Sequence, residues 1–229
     1  MNQQVDDLLA ALHSPDDQAH QAAYEALVAL GRATVPALIA AFPGTRGRAR
    51  LSVIRALGEI GDARAVALLV SLVRSRDRQE YVFVSSLAAK SLGQIAARPG
   101  SAGEQAIAGL VEALGDSLTG ARRMAAVVLG NVGDPQAVPP LIGALADSDI
   151  GVRALSARAL GLIGMTGKHA DHAVPALIVC LADTAQLGKP LAVDGRSVRT
   201  VSEVAAWALE QINTPQAAHA LATWRAKRQ

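Results

Sequence analysis

Residues Asp147–Gly164 read DSDIGVRALSARALGLIG, and this stretch decides the fold because altered copies of it recur along most of the chain. Within it Val152, Leu155, Ala159, Leu160 and Ile163 fall at steps of three, four, one and three. That spacing gathers them on one side of a 3.6-residue helix and leaves Arg153 and Arg158 off that side. The segment is predicted to be an amphipathic helix. Asp149 stands where a side-chain oxygen can accept from free amides of the first turn, and Gly161 and Gly164 are expected to let the chain leave the helix in a left-handed conformation.

The copies align on a leucine-glycine pair. They are ALVALG ending at Gly31, VIRALGEIGD with Gly58, AAKSLGQIA with Gly93, AVVLGNVGD with Gly130, ARALGLIG with Gly161, and a degraded AWALEQI in which Glu210 replaces the glycine. Successive anchors lie 27, 35, 37, 31 and 49 residues apart, the range of stacked helical hairpins, with the last interval holding an insertion. A shorter apolar helix precedes each anchor helix from the second onward, in TVPALIAAF, AVALLVSLV, AIAGLVEAL, AVPPLIGAL and AVPALIVCL. Each unit is therefore helix A, turn, helix B.

The phrases LGDSLTGARRMAAVVLGNVGD and LADSDIGVRALSARALGLIG resemble HEAT repeats, and among them the short HEAT-like subgroup first named for phycobilisome lyases. The distance from Asp116 to Arg122 equals that from Asp147 to Arg153. The resemblance implies that an aspartate in the A-to-B turn and an arginine early in helix B link turns and neighbouring repeats in a ladder. Its functions are diverse, so it leaves the activity open.

The expected fold is all-α, a right-handed α-α superhelix of about six hairpins plus a terminal capping helix. The units run over approximately 1–31, 32–61, 62–96, 103–133, 134–164 and 170–213, with the cap at 214–228, in a single repeat domain over 1–229. Aromatic residues make up only 3% of the 229, so the core is read as small aliphatic layers in which helices approach closely. No apolar run reaches the roughly 18 to 20 residues of a membrane span, and MNQQVDDLLAAL has no cationic segment before its short apolar stretch. The expected location is the cytoplasm. The single Cys180 leaves no internal disulfide, suits a reducing compartment, and inside an apolar A helix reads as a small buried hydrophobe.

Along the chain, Asp6, Asp7, Asp16, Asp17 and Glu25 make an acidic first unit, explained by the polar outer face that a terminal repeat needs. The third unit has Ser85 where its neighbours have arginine, with Arg74, Arg76 and Arg78 crowding its turn, and AARPGSAGE from Ala96 reads as a loop. In the insertion TAQLGKPLAVDGRS, LAV and RSV flank Asp194-Gly195, a two-residue hairpin signal. His13, His20 and His219 are isolated and read as surface or cap residues.

Two basic rows follow from the repeat. Arg50, Arg122 and Arg153 stand eight residues before the anchor glycine, and their fixed distance from turn aspartates marks them as structural. Arg55, Lys90 and Arg158 stand three before it, and Arg123, at seven before, joins them by helical spacing. This second row has no partner at constant spacing and is the candidate binding surface, with Lys189, Asp194 and Arg196 of the insertion adding specificity. A row of cations attracts an acidic protein segment or a phosphate backbone.

Some alkylpurine glycosylases are built from HEAT-like repeats and use tryptophan, carboxylate and arginine in a groove; Arg199, Glu203 and Trp207, four apart, invite that comparison. His169 and His172 with Asp171 suggest a metal but lack a matching cluster, and the His-Glu pairs of HEAT-repeat hydroxylases do not occur. No cofactor and no metal are expected. The reading is a non-catalytic scaffold or adaptor that docks an acidic or amphipathic protein segment on its B-helix face. A phycobilin lyase-like subunit or chaperone is the enzyme alternative, and a HEAT-like nucleic-acid binder the third, disfavoured by a net charge of only +2 and few aromatics.

Overall fold

The computed structural model describes residues 3–75, 81–167 and 170–228. Its contacts divide the chain into two units, residues 1–110 and 111–229. The first holds three hairpins, α1 (Gln3–Ala11) with α2 (Asp17–Leu30), α3 (Val35–Ala41) with α4 (Gly47–Ile60), and α5 (Val66–Val73) with α6 (Tyr81–Ala96), and α7 (Ser101–Leu114) begins in it. The second completes α7 and continues with α8 (Thr119–Val132), the hairpin of α9 (Val138–Ala144) and α10 (Ile150–Met165), then α11 (Val174–Cys180) and α12 (Val201–Ile212), and ends in α13 (Pro215–Ala226). The class is an all-α repeat solenoid, six hairpins and a terminal helix among the described residues. The loop read from Ala96 shrinks to 97–100, because Ser101 already opens α7.

Local chemistry sets the ends of these helices. Asp16 accepts from the Gln18 amide at 2.9 Å and Asp149 from the Val152 amide at 2.9 Å, so α2 and α10 start on side-chain caps. Thr200 and Glu203 form a capping box at the start of α12. Short 3-10 turns lead into several A helices; those at Ala63–Ala65 and Pro135–Ala137 are opened by Asp62 and Asp134, which accept from the amides of Arg64 and Gln136. Prolines in the first turns of α3, α9 and α11 sit where the missing amide costs least.

The anchor glycines play a different part from the one their sequence suggests. Gly161 and Gly164 lie inside α10, which runs on to Met165, and neither has a positive φ. A Cβ on Gly130 would stand 2.7 Å from both the Cα and the Cβ of Ala159, one on Gly58 2.6 Å from the Cβ of Ser91, and one on Gly161 2.9 Å from the Cα of Ala208. The anchor is thus the point where one B helix touches the next. The helix ends belong to Gly61 and Gly133, both left-handed at φ 72°. Gly31 also ends its helix, at φ 63°, with open space around it. It therefore corresponds to Gly61 rather than to Gly58, and the first repeat is three residues out of register in the leucine-glycine alignment.

The layers between helices are aliphatic, with Leu27, Leu38, Leu57, Leu69, Leu92 and Leu110 fully buried in the first unit and Leu129, Leu141, Leu160, Leu177 and Leu209 in the second. His20 departs from its expected surface place. It is 3% exposed, its Nδ1 lies 2.8 Å from the Leu12 carbonyl and its Nε2 2.9 Å from the Ser52 hydroxyl, joining the end of α1 to α2 and α4. No helix among the described residues is long and apolar enough to cross a membrane.

The glycine contacts give a paired test. Gly130→Ala should lower unfolding free energy by about 1–3 kcal/mol, because its methyl meets backbone that must move. Gly143→Ala, inside α9 with nothing within 4 Å, should gain about 0.5–1 kcal/mol. Urea unfolding measures both, and equal effects would show that helix propensity, not close approach, decides these sites.

Candidate functional site

In the second unit the turn aspartates and early-helix arginines meet directly. Arg122, on α8, donates from Nε to Oδ2 of Asp147 at 2.7 Å and from Nη2 to Oδ1 at 2.9 Å, while its Nη1 donates to the Asp116 carbonyl at 3.0 Å. Arg153, on α10, repeats the pattern one unit later, with Nε 2.7 Å from Oδ2 of Asp183 and Nη1 2.9 Å from the Asp147 carbonyl. Each arginine grips the backbone of its own turn and the carboxylate of the next. The Asp147 and Asp183 carboxyls are held below the usual range by these guanidiniums. Arg50 occupies the same place where the turn FPGTRG has no aspartate; it donates to the Thr45 carbonyl and stacks at 4.3 Å on Phe42.

The second row is less uniform than its spacing suggests. Arg123 has a partner, the cap residue Asp149 of the following B helix, with Nε 2.7 Å from Oδ1 and Nη2 2.6 Å from Oδ2. That bidentate pair holds the Asp149 carboxyl down and makes Arg123 a tie between repeats. Arg55 is exposed, stacked 4.7 Å over the buried Tyr24 ring and 3.8 Å from Glu59. Burial, helped by the Glu59 carboxylate, pushes the Tyr24 phenol up to about 12. Lys90 is exposed on α6 and Arg158 half-buried on α10.

The insertion forms an antiparallel ribbon of β1 (Gln186–Val193) and β2 (Arg196–Thr200), closed by Asp194 at φ 49° and Gly195 at φ 71°, the two positive φ angles that a right-twisted two-residue hairpin requires. It contacts α10 and α12. Lys189 and Asp194 are exposed, whereas Arg196 donates to Glu210 on α12 at 2.8 Å. Glu210, which stands in place of an anchor glycine, also pairs with Arg225 of α13. One carboxylate thus ties ribbon and terminal helix to α12.

The grouping of Arg199, Glu203 and Trp207 as one helical stripe is overturned. Arg199 belongs to β2, and α12 begins only at Val201 because Thr200 caps it. Glu203 spends one oxygen on the amides of Arg199 and Thr200, at 2.7 and 3.2 Å. Trp207 is 3% exposed and lies over Gly161 in the core, so it lines no groove. Cys180 is buried, which pushes its thiol up. His169 lies outside the described residues; Asp171 and His172 are exposed, and among the described residues no three His, Cys, Asp or Glu are grouped as a metal site.

Two features lacked a readable sequence signal. Arg98, in the loop after α6, donates to the Ile60 carbonyl at 2.7 Å, closing the end of α4. Asp62, 8% exposed, is held to about 2 by the Arg64 guanidinium, whose Nε donates to it at 2.8 Å; only the repetition of Gly-Asp at 61–62 and 133–134 hints at it.

Family models for HEAT repeats match residues 5–88, 35–119 and 107–189, and one for the PBS lyase HEAT-like repeat matches 203–223. No protein of curated function matches the chain significantly. Among solved structures, the complex of CpcE and CpcF of phycocyanin lyase from Nostoc sp. PCC7120 is similar at 26% identity and a TM-score of 0.50, over 69% of this chain and 98% of that one. A Kap121p mutant is similar at 15% identity and a TM-score of 0.63, over 97% of this chain but 27% of its own, a likeness of fold.

The ladder makes a prediction about acid. Asp147 is depressed in the folded state, so its contribution is complete above the unfolded value of roughly 3.9 and is lost as pH falls through the lower folded value. Asp147→Asn and Arg122→Ala should each cost about 1.5–3 kcal/mol near neutral pH. In urea titrations the gap between wild type and Asp147→Asn should shrink below roughly pH 4; a gap unchanged at about pH 3 would contradict the ion pair.

Proposed function

The chain belongs to the HEAT-repeat family, and we propose that it is a non-catalytic protein-binding scaffold that docks an acidic or amphipathic segment of a partner on its B-helix face. The reading is supported by the exposed face of α4 and α6 in the first unit. These two helices pack against each other, and Arg55 and Lys90 stand at the same position on each, three residues before the anchor. Phe83, seven residues before Lys90 and so on its stripe, is 80% exposed. A large exposed aromatic on the same helix stripe as a cation fits a segment that carries both apolar and acidic side chains. In the second unit, Arg158, Lys189 and Asp194 are the further candidates; Arg123 and Arg196 are committed to Asp149 and Glu210 and are left out.

A second reading, a lyase-like subunit that handles a tetrapyrrole protein, is favoured by the likeness to the phycocyanin lyase complex. A bilin absorption band shifted by this protein would support it.

Arg55→Glu with Lys90→Glu should lower affinity for a captured partner by at least about tenfold, a change of roughly 1.4 kcal/mol, with the helical circular dichroism unchanged. Capture from nuclease-treated lysate, followed by binding of the isolated partner at rising salt, tests it. Unfolding of the double variant would make the two cations structural, and unaltered affinity would remove this face from the proposal.

A further inference from the structure

We propose that a second docking site lies in the second unit, in the groove between α11 and α13, and that its occupant is an acidic amphipathic helix of about three turns from a partner protein. The groove encloses about 580 Å³, within the range of binding pockets. Its α11 side is Ile178, Leu181 and Ala182, and Val179 beside them is 74% exposed. Its α13 side follows one stripe from Gln216 through Ala220 and Trp224 to Lys227.

Shape selects the class of occupant. The stripe from 216 to 227 spans about 16 Å at 1.5 Å per residue, long and open rather than compact. Both walls are helices whose main-chain groups bond within themselves, so an extended strand would find no ladder of partners there. A helix satisfies its own backbone and needs from the groove only apolar contact, at i, i+3 or i+4 and i+7.

Charge selects its sign. No aspartate or glutamate lines the groove, and none occurs from 213 to 228. Trp224 is fixed as a wall by donating from Nε1 to the Leu181 carbonyl at 3.0 Å, and Arg228 lies 4.6 Å over its ring. Arg225 and Arg228 are drawn to Glu210 and Glu203, while Lys227, exposed at the end of α13, lines the groove itself. Carboxylates flanking the occupant's apolar stripe would meet Lys227 and no opposing carboxylate.

The probe is a synthetic helix of about 15 residues with leucine at i, i+3, i+4 and i+7 and glutamate elsewhere, beside an otherwise identical peptide with lysine for glutamate. Fluorescence anisotropy should show the acidic peptide binding at least about tenfold more tightly, weakening with salt, and amide shifts should centre on Val179, Leu181 and Ala220. Lys227→Glu and Ala182→Arg, both surface changes, should each weaken it about tenfold, whereas Arg55→Glu with Lys90→Glu should leave it unchanged, which separates this site from the face on α4 and α6. Equal binding of the two peptides, shifts centred elsewhere, or indifference to Ala182→Arg would overturn the site. Dodecanoate shifting the same residues while the acidic peptide does not would replace the helix by a compact amphiphile and overturn it equally.

Discussion

The structure depends on how closely one B helix can approach the next. At Gly130 and Ala159, and at Gly161 and Ala208, a side chain on the glycine would collide with the neighbouring backbone, so the spacing between repeats is fixed where one residue has no Cβ. Close approach then requires everything around it to be small and aliphatic, which is why alanine and leucine fill the layers and aromatics amount to 3%. Dispersion contacts are short-ranged and fall off with any gap. A stack built on such contacts therefore transmits a defect at one anchor mainly to its two neighbours.

Electrostatics adds direction to that contact. Glycine and alanine allow two helices to touch but do not fix their turns in register. Arg122 and Arg153 do so by holding one turn's carbonyl and the next turn's carboxylate at once. Because the guanidinium is planar and bidentate, a lysine could not make both contacts in one geometry. Arg123 on Asp149 adds a second tie at the cap of α10. In the second basic row Arg123 is therefore taken up by a carboxylate of the next repeat, which is why the proposed docking face keeps Arg158 and not Arg123.

Hairpin number, helix order and the ribbon were legible because each rests on short-range periodicity, the 3.6 spacing of the B helices and the Asp-Gly turn. The role of the glycines was not, since a packing glycine and a capping glycine can both follow leucine, as Gly58 and Gly31 do; in LGEIGD and LGNVGD it is the second glycine that caps. The partner of Arg123 lies 26 residues away, on an aspartate already assigned a capping role, and one carboxylate can serve both an amide and a guanidinium. His20 is held by residues 8 and 32 positions distant, and no local pattern signals that. Likewise the stripe of Arg199, Glu203 and Trp207 assumes helix across Thr200, where the cap begins it one residue later.

The end of the second unit shows how the same rules leave a surface open. Where α8 and α10 meet the following B helix at a glycine, α12 carries Glu210, whose charge is answered by Arg196 and Arg225. Those two pairs fold the ribbon and α13 back onto α12, and with them Trp224 reaches the Leu181 carbonyl. Holding α13 by its basic end leaves its small central residues unable to fill the space beside α11, and a groove remains. An exposed Val179 and a groove lined by Lys227 and no carboxylate follow from the way the helix is fastened, because the carboxylates that fasten it are drawn to the α12 side.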